Sequence, residues 1–278
     1  MLTKEMLVEA LKGFDIEKDS ILLVHSSLKG LGQIDGGAET VIAALEETVS
    51  EGTLVLPTFA SKNWETVMED WHMDRPSDTG YITEVFRKQE GSIRSDNPTH
   101  SVAARGKHAE ALTQGNLKEG PRPGPYGDYA FSHGSVFQRM YDSRENYGVK
   151  CYLMFWGVTT SPMTFKHLIE HCWIEELLNS VKDEAKREEF SARLSKYPAS
   201  EPFVWPMYST RPFGPKFAEA GVAKIIPVGE GEIICGDAKE MTDFVDKTLR
   251  ENVFTMTVEA FQKWYREITD YIASENNQ

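Results

Sequence analysis

Apolar positions along the chain switch between two periods, short runs suited to strands and spaced stripes suited to helices, and this alternation carries the first reading of the fold. Residues 3 to 14 read as an amphipathic helix. "SILLVHSS" (20 to 27) is a compact apolar run ending in small polar residues, and the glycine-rich "KGLGQIDGG" leads from it to "AETVIAALEETV", where Val41, Ile42, Leu45 and Val49 mark one helical face. "TLVLPTF" (53 to 59) repeats the strand signal, with Pro57 at its end. A long connection, "NWETVMEDWHMDRPSDTG", then reaches the helix "YITEVFRKQ". "IRSDNPTHSVAARGKHAEAL" (93 to 112) enters as a loop, becomes a strand near "SVAAR" and leaves as a helix. "GNLKEGPRPGPYGDYAFSHGS" (115 to 135) is too rich in Gly and Pro for regular structure and suits a lid or a substrate wall.

After a helix near 135 to 146, "VKCYLMFW" is the most apolar strand, and "GVTTSP" joins it to the helix that begins near 165. Ser161 is placed to cap that helix and Pro162 to occupy its first turn. "KDEAKREEFSARLSK" (182 to 196) is a charged, solvated helix, and "VAKIIPVGEGEIICGD" gives two strands about "GEG". Two helices, "AKEMTDFVDKTLREN" and "VEAFQKWYREITDYIAS", close the chain. Strands alternating with helices predict a three-layer α/β/α fold with a mixed, mostly parallel central sheet. No repeat or linker divides it, so residues 1–278 are expected to form a single domain with loop excursions at about 60–80 and 115–135 and a C-terminal helical segment at about 237–275.

Composition narrows the function classes. The 278 residues are 40% hydrophobic and 11% aromatic, enough for a packed core. A net charge of −13 argues against a general nucleic-acid or anionic-lipid face, and it either draws in a cationic substrate or serves solubility alone. The longest apolar stretch, "CYLMFWGV", is far short of a bilayer span. The opening helix does not read as a signal peptide, so the expected location is the cytoplasm. Cys151, Cys172 and Cys235 have neither disulfide nor metal spacing and are expected to be free thiols.

The concentrated chemistry lies in "FKHLIEHCWIEELL" (165 to 178). At 100° per residue Phe165, Leu168, Ile169 and Cys172 share one side of the helix, expected to pack on the sheet. His167, Glu170 and His171 share the other with Met163 and Ile174, a mixture that suits the wall of a cleft. The helix follows the carboxyl end of a central strand, where open α/β sheets gather ligands. Two chemistries fit the run. His167 and His171, at the i, i+4 spacing, could hold zinc with Glu170 as base, given a third ligand such as Glu230, Glu232 or Glu240. Alternatively Glu170 fixes the tautomer of His167, which then acts as a metal-free general base.

Several segments together resemble the aminoglycoside 3-N-acetyltransferase family: "LLVHSSLKGLGQIDGGAETVIAALEETVSEGTLVLPTF", "RSDNPTHSVAARGKHAEALT" and "GVTTSPMTFKHLIE", in that order over most of residues 5 to 250. The resemblance implies the antibiotic N-acetyltransferase-like fold, acetyl-CoA as cosubstrate, no metal, and acetyl transfer to an amine of an aminoglycoside or related amino sugar. It also implies His167 as base with Glu170 as its partner. Coenzyme contacts would come from His25, Ser26, Ser27, Leu28 and Lys29, and from Thr99, His100, Ser101 and Val102. The Gly-rich loop would offer backbone N–H groups, and Lys29, Arg94 and Arg105 would offset phosphate charge. Where the family often has Gly, an aromatic and Asp after the Gly-Val pair, this chain has Thr159, Thr160 and Ser161. Substrate contacts are then expected from Trp64, Asp70, Tyr126, Asp128 and Glu175. A monomer or homodimer is expected. The rivals are a zinc-dependent peptidase or amidohydrolase and a non-catalytic coenzyme-binding relative.

Overall fold

The computed structural model describes residues 1–60, 67–196 and 202–277. In chain order the elements are α1 Lys4–Lys12, β1 Ile21–Ser26, α2 Gly37–Thr48, β2 Thr53–Pro57, α3 Tyr81–Lys88, β3 Ile93–Arg94, β4 Val102–Gly106, α4 Ala109–Thr113, α5 Val136–Tyr141 and α6 Ser143–Tyr147. There follow β5 Cys151–Trp156, α7 Phe165–Asn179, α8 Glu184–Ala192, α9 Phe213–Glu219, β6 Ala223–Val228, β7 Gly231–Asp237, α10 Ala238–Glu251, α11 Val253–Met256 and α12 Glu259–Asn276.

The seven strands form one sheet in the order β3-β4-β2-β1-β5-β7-β6. Only β1 with β2 and β1 with β5 pair in parallel, and the other four neighbours are antiparallel. The sheet is therefore mixed, as expected, but parallel only at its centre, which corrects the expectation of a mostly parallel sheet. Apart from the two strands read about "GEG", the antiparallel neighbours are what the pattern could not reveal, because an apolar run looks the same in either direction. β6 and β7 turn back through Gly229, whose φ of 58° is readily met by glycine.

Alternation along β1 sends Ile21 and Leu23 to one face and Leu22 and Val24 to the other, and each face has its own apolar core. The second face is covered by α1, α2 and α3 through Leu7, Leu11, Val41, Ile42, Leu45, Ile82 and Phe86. The first carries α4, α5, α7, α10 and α12, with Phe137, Phe165, Met241, Trp264 and Ile268 in the larger core.

Two local expectations for α7 are corrected. The helix begins at Phe165 with Thr164 as N-cap and no side-chain cap bond, so Ser161 and Pro162 lie in the turn before it. It is also not two-sided. Glu170, His171, Trp173 and Ile174 are as buried as Leu168 and Ile169, because α7 is enclosed by neighbouring helices and by the coil after α8. Cys172 faces a small gap beside Tyr141, Thr242 and Asp243 instead of the sheet.

Candidate active site

The carboxyl ends of β1 and β2 and the first turn of α7 surround a cavity of about 450 Å³, within the range of small-molecule sites. His25 and Ser26 bring β1 to it, Pro57 and Phe59 bring β2, and His100 comes from the loop before β4. Ser161, Thr164, Lys166 and His167 close it from the β5–α7 side. The approach of these loops is set locally: a Cβ on Gly30 would lie 1.9 Å from the carbonyl oxygen of Gly157, so the loops after β1 and β5 can touch only with glycine there.

His167 Nδ1 lies 2.8 Å from Glu170 Oε2, and the Trp205 indole N–H donates to the same oxygen at 2.9 Å. An oxygen that receives two N–H groups is the acceptor of both, which assigns the Nδ1–H tautomer and leaves Nε2 as the lone-pair nitrogen on the cavity side. His167 retains 14% exposure while Glu170 has none. Burial pushes the His167 imidazolium well below its usual range, with the Lys166 ammonium adding to the effect. Burial also raises the Glu170 carboxyl to about 8, opposed by Lys166 and by the Trp205 hydrogen bond. The imidazole therefore stands neutral beside a carboxyl that ionises just above neutrality.

His171, one turn further on, is a different object. It has no exposure, both ring nitrogens lack partners among the described residues, and it packs against Tyr126, Phe131 and Trp205. Gly124 is pressed onto it, since a Cβ there would come 1.9 Å from His171 Cε1. Among the described residues no group of three or more metal-ligating side chains converges. Glu170 is directed at His167, so among the described residues the zinc arrangement lacks both a third ligand and a free carboxylate base.

The expected coenzyme residues divide. His25, Ser26 and His100 line the cavity. The His25 ring stacks on Phe155 and its Nε2 accepts the Thr164 N–H at 3.4 Å, with burial holding the ring neutral down to about 3. His100 packs edge-on against Phe59, Tyr126 and His167. Ser27 donates its backbone N–H to the Trp156 carbonyl, Leu28 packs on the second core, and Lys29 is exposed outside the lining. Thr99 binds the Tyr126 carbonyl, the Ser101 hydroxyl binds the Thr58 carbonyl, and Val102 pairs with Pro57, so all three hold the loop rather than face the cavity. Arg94 is spent on carbonyls of Thr58, Met73 and Arg75, and Arg105 on Glu46, so neither is available to a phosphate.

The expected substrate residues divide further. Trp64 lies outside the described residues. Tyr126 packs 4.5 Å from the His167 ring and, with Asp128, lines a second cavity of about 230 Å³ on the other side of His100. Asp70 is exposed near Arg75, and Glu175 pairs with Arg122 and His133; neither lines the His167 cavity. Three groups escaped the sequence reading. Trp205 lies in aperiodic coil after α8, Asp78 lies in the long connection, and Lys166 was masked by its histidine neighbour. The one clue to Trp205 was its type, since a buried indole N–H needs an acceptor.

A mixed sheet with a neutral histidine and its buried glutamate at the strand ends defines an α/β protein equipped for general-base chemistry at a small-molecule cavity. The chain belongs to the aminoglycoside 3-N-acetyltransferase family, whose model matches residues 23–250. It is 34% identical over 132 residues to the SPbeta prophage-derived aminoglycoside N(3')-acetyltransferase-like protein YokD of Bacillus subtilis (strain 168), covering 40% of this chain and 48% of that one. It is 30% identical over 132 residues to an aminoglycoside N(3)-acetyltransferase III of Salmonella sp, covering 41% and 46%. These alignments span about half the length of the curated relatives. The solved YokD structure from Bacillus subtilis superposes with a TM-score of 0.62 at 21% identity over 91% of this chain and 95% of that one. AAC-IIIb, solved as a binary complex with CoASH, gives 0.63 at 20% identity over 90% and 97%. The last two establish the shared fold.

Proposed function

We propose that the protein is an acetyl-CoA-dependent N-acetyltransferase acting on an amino group of an amino sugar or aminoglycoside-like amine, with His167 as general base. The observation that carries this is the His167–Glu170–Trp205 chain of hydrogen bonds ending at the cavity. Family membership supplies the reaction class, and the printed names of the relatives supply the substrate class.

The residues fit an acylated pantetheine arm. The cavity is of suitable size, and Ser26 and Ser161 keep hydroxyls free of protein partners among the described residues. Bound acetyl-CoA would supply the activated acyl group. His167 Nε2 takes the proton of the attacking amine, and ionised Glu170 stabilises the resulting imidazolium through Nδ1–H. The Ser26 hydroxyl is the donor best placed in sequence and cavity to meet developing negative charge, since the Ser27 N–H is already committed. Burial around Tyr126 and Phe131 excludes water from the inner side of the base. None of the cysteines suits an acyl-enzyme: Cys172 is raised to about 11 by burial, and Cys151 and Cys235 are deep in the sheet. Among the described residues no helix is long and apolar enough to cross a membrane, and supply of the coenzyme favours a cytoplasmic setting. All seven strands in one sheet favour a single domain.

The test is release of free thiol from acetyl-CoA across a panel of aminoglycosides and simpler amino sugars. Amine-dependent thiol release with N-acetylated product is the expected result, and thiol release that no amine stimulates would remove the proposal.

A further inference from the structure

Lys166 lines the same cavity as the base and immediately precedes it on α7. Its ammonium rests 3.4 Å from the Tyr208 carbonyl oxygen and 5.8 Å from the centre of the Tyr208 ring, and it forms no ion pair among the described residues. Other lysines without an ion pair among the described residues, such as Lys18, Lys29 and Lys107, are exposed, whereas Lys166 is half-buried in the cavity wall. Glu170 feels the Lys166 charge but makes no ion pair with it, because that carboxyl is enclosed and bound by His167 and Trp205. Asp78, the one carboxylate among the described lining residues, already has a partner within the protein. The wall beside the base thus presents a positive charge that no described residue pairs as an ion. A polyamine with several ammonium groups would meet repulsion there, and a group of opposite charge would be held.

Resting on the acetyltransferase reading, we infer that the acceptor is an amine carrying an anionic group, a carboxylate or phosphate within a sugar ring's width of the reacting nitrogen, and that Lys166 binds this anion. Lys166 is then a specificity-determining residue. The coenzyme's own phosphates are a second possible source of the charge, but they lie a whole pantetheine arm away from the thioester, whereas Lys166 adjoins the base that must reach the reacting amine. The Ser161 hydroxyl lies on the same wall and suits a remaining oxygen of such a group.

Matched amines give the test. Thiol release from acetyl-CoA is measured with glucosamine, glucosamine 6-phosphate and the polycation neamine, for the wild type, Lys166→Met and Lys166→Glu, each checked for an unchanged melting temperature. The wild type is expected to prefer the phosphate over glucosamine in kcat/KM by roughly 10-fold or more, with neamine poorest. The preference should fall to about parity in Lys166→Met and reverse in Lys166→Glu. A lysine that only tunes His167 would shift all three amines together, so an unchanged ratio overturns the inference. So does a wild type that acetylates neamine or glucosamine best, an outcome that leaves acetyl transfer standing. A Lys166→Glu variant whose KM rises for acetyl-CoA but not for S-acetylpantetheine, with the amine ratio unmoved, assigns the charge to the coenzyme and also overturns it. Should no amine release thiol, the transfer reading fails, and calorimetric titration of the same amines decides the inference alone. Phosphate-dependent binding lost in Lys166→Glu supports it, and equal or absent binding refutes it.

Discussion

The first and second turns of α7 each hold a histidine, and the two could hardly be in more different states. His167 binds Glu170 through Nδ1 and opens on the cavity, whereas His171 is sealed among aromatic rings with no partner for either nitrogen among the described residues. Four residues of helix separate a hydrogen-bonded ring at the cavity from one that only fills space. What divides them is not helix geometry, which gives both the same kind of face, but what packs against each. The Gly124–Phe131 segment and Trp205 close over the second turn, and only one oxygen of Glu170 is turned toward the first.

The largest effect should come from His167. Its replacement by alanine is expected to lower kcat by roughly two to four orders of magnitude with the fold retained, as read by thiol release and circular dichroism. Next is Glu170→Gln, which keeps the shape but removes the charge and should cost roughly 100-fold in kcat. The same variant tests the electrostatics. Glu170 rises from an ordinary 4.5 to about 8 in the fold, so between those values the folded protein holds a proton that the unfolded chain has lost. Its contribution to stability is complete below about 4.5 and gone above about 8. Glu170→Gln should therefore be more stable than wild type at pH 9, by roughly 1–3 kcal/mol, with the margin vanishing near pH 4. Wild-type kcat/KM should climb as Glu170 ionises and level off above about 8.

Trp205→Phe keeps the ring and deletes the donor. Loss of that hydrogen bond raises the Glu170 carboxyl further, so the rising limb should move to higher pH, with roughly 3- to 10-fold less activity at neutrality that recovers in alkali. A purely packing role for Trp205 would leave the limb in place.

How much of this was legible in the sequence depended on distance along the chain. The strands at Ile21–Ser26, Thr53–Pro57 and Cys151–Trp156 and the helices at Gly37–Thr48 and Ala238–Glu251 follow from local periodicity and fall within a few residues of their expected positions. The juxtaposition of His167 and Glu170 was legible too, because three residues of helix guarantee it. Strand direction was legible only for the two strands about "GEG", and antiparallel neighbours outnumber the parallel ones in a sheet expected to be mostly parallel. Nor was the burial of His171. Local periodicity gives its helix two faces, but Phe131 and Trp205 cover the second, and Trp205 arrives from 35 residues beyond Glu170 in coil without any period. Glu175 was legible as a carboxylate near the base but not as the partner of Arg122 and His133, which only the folded loop brings to it.

The smallest effects sharpen the contrast from the other side. Gly124→Ala forces a methyl against the His171 ring and should cost about 1–3 kcal/mol of stability, measured by denaturant unfolding. His171→Leu removes two buried, unpartnered nitrogens while nearly conserving volume, and should gain about 1 kcal/mol, or roughly 2–4 °C in Tm.

Side-by-side turnover of His167→Ala and His171→Leu, on whichever amine the wild type acetylates best, is the most direct measurement. A loss of at least about 100-fold in the first and less than about 3-fold in the second is the expected result. Comparable losses in both, or a greater loss at His171, would contradict the assignment of the base to the first turn of α7.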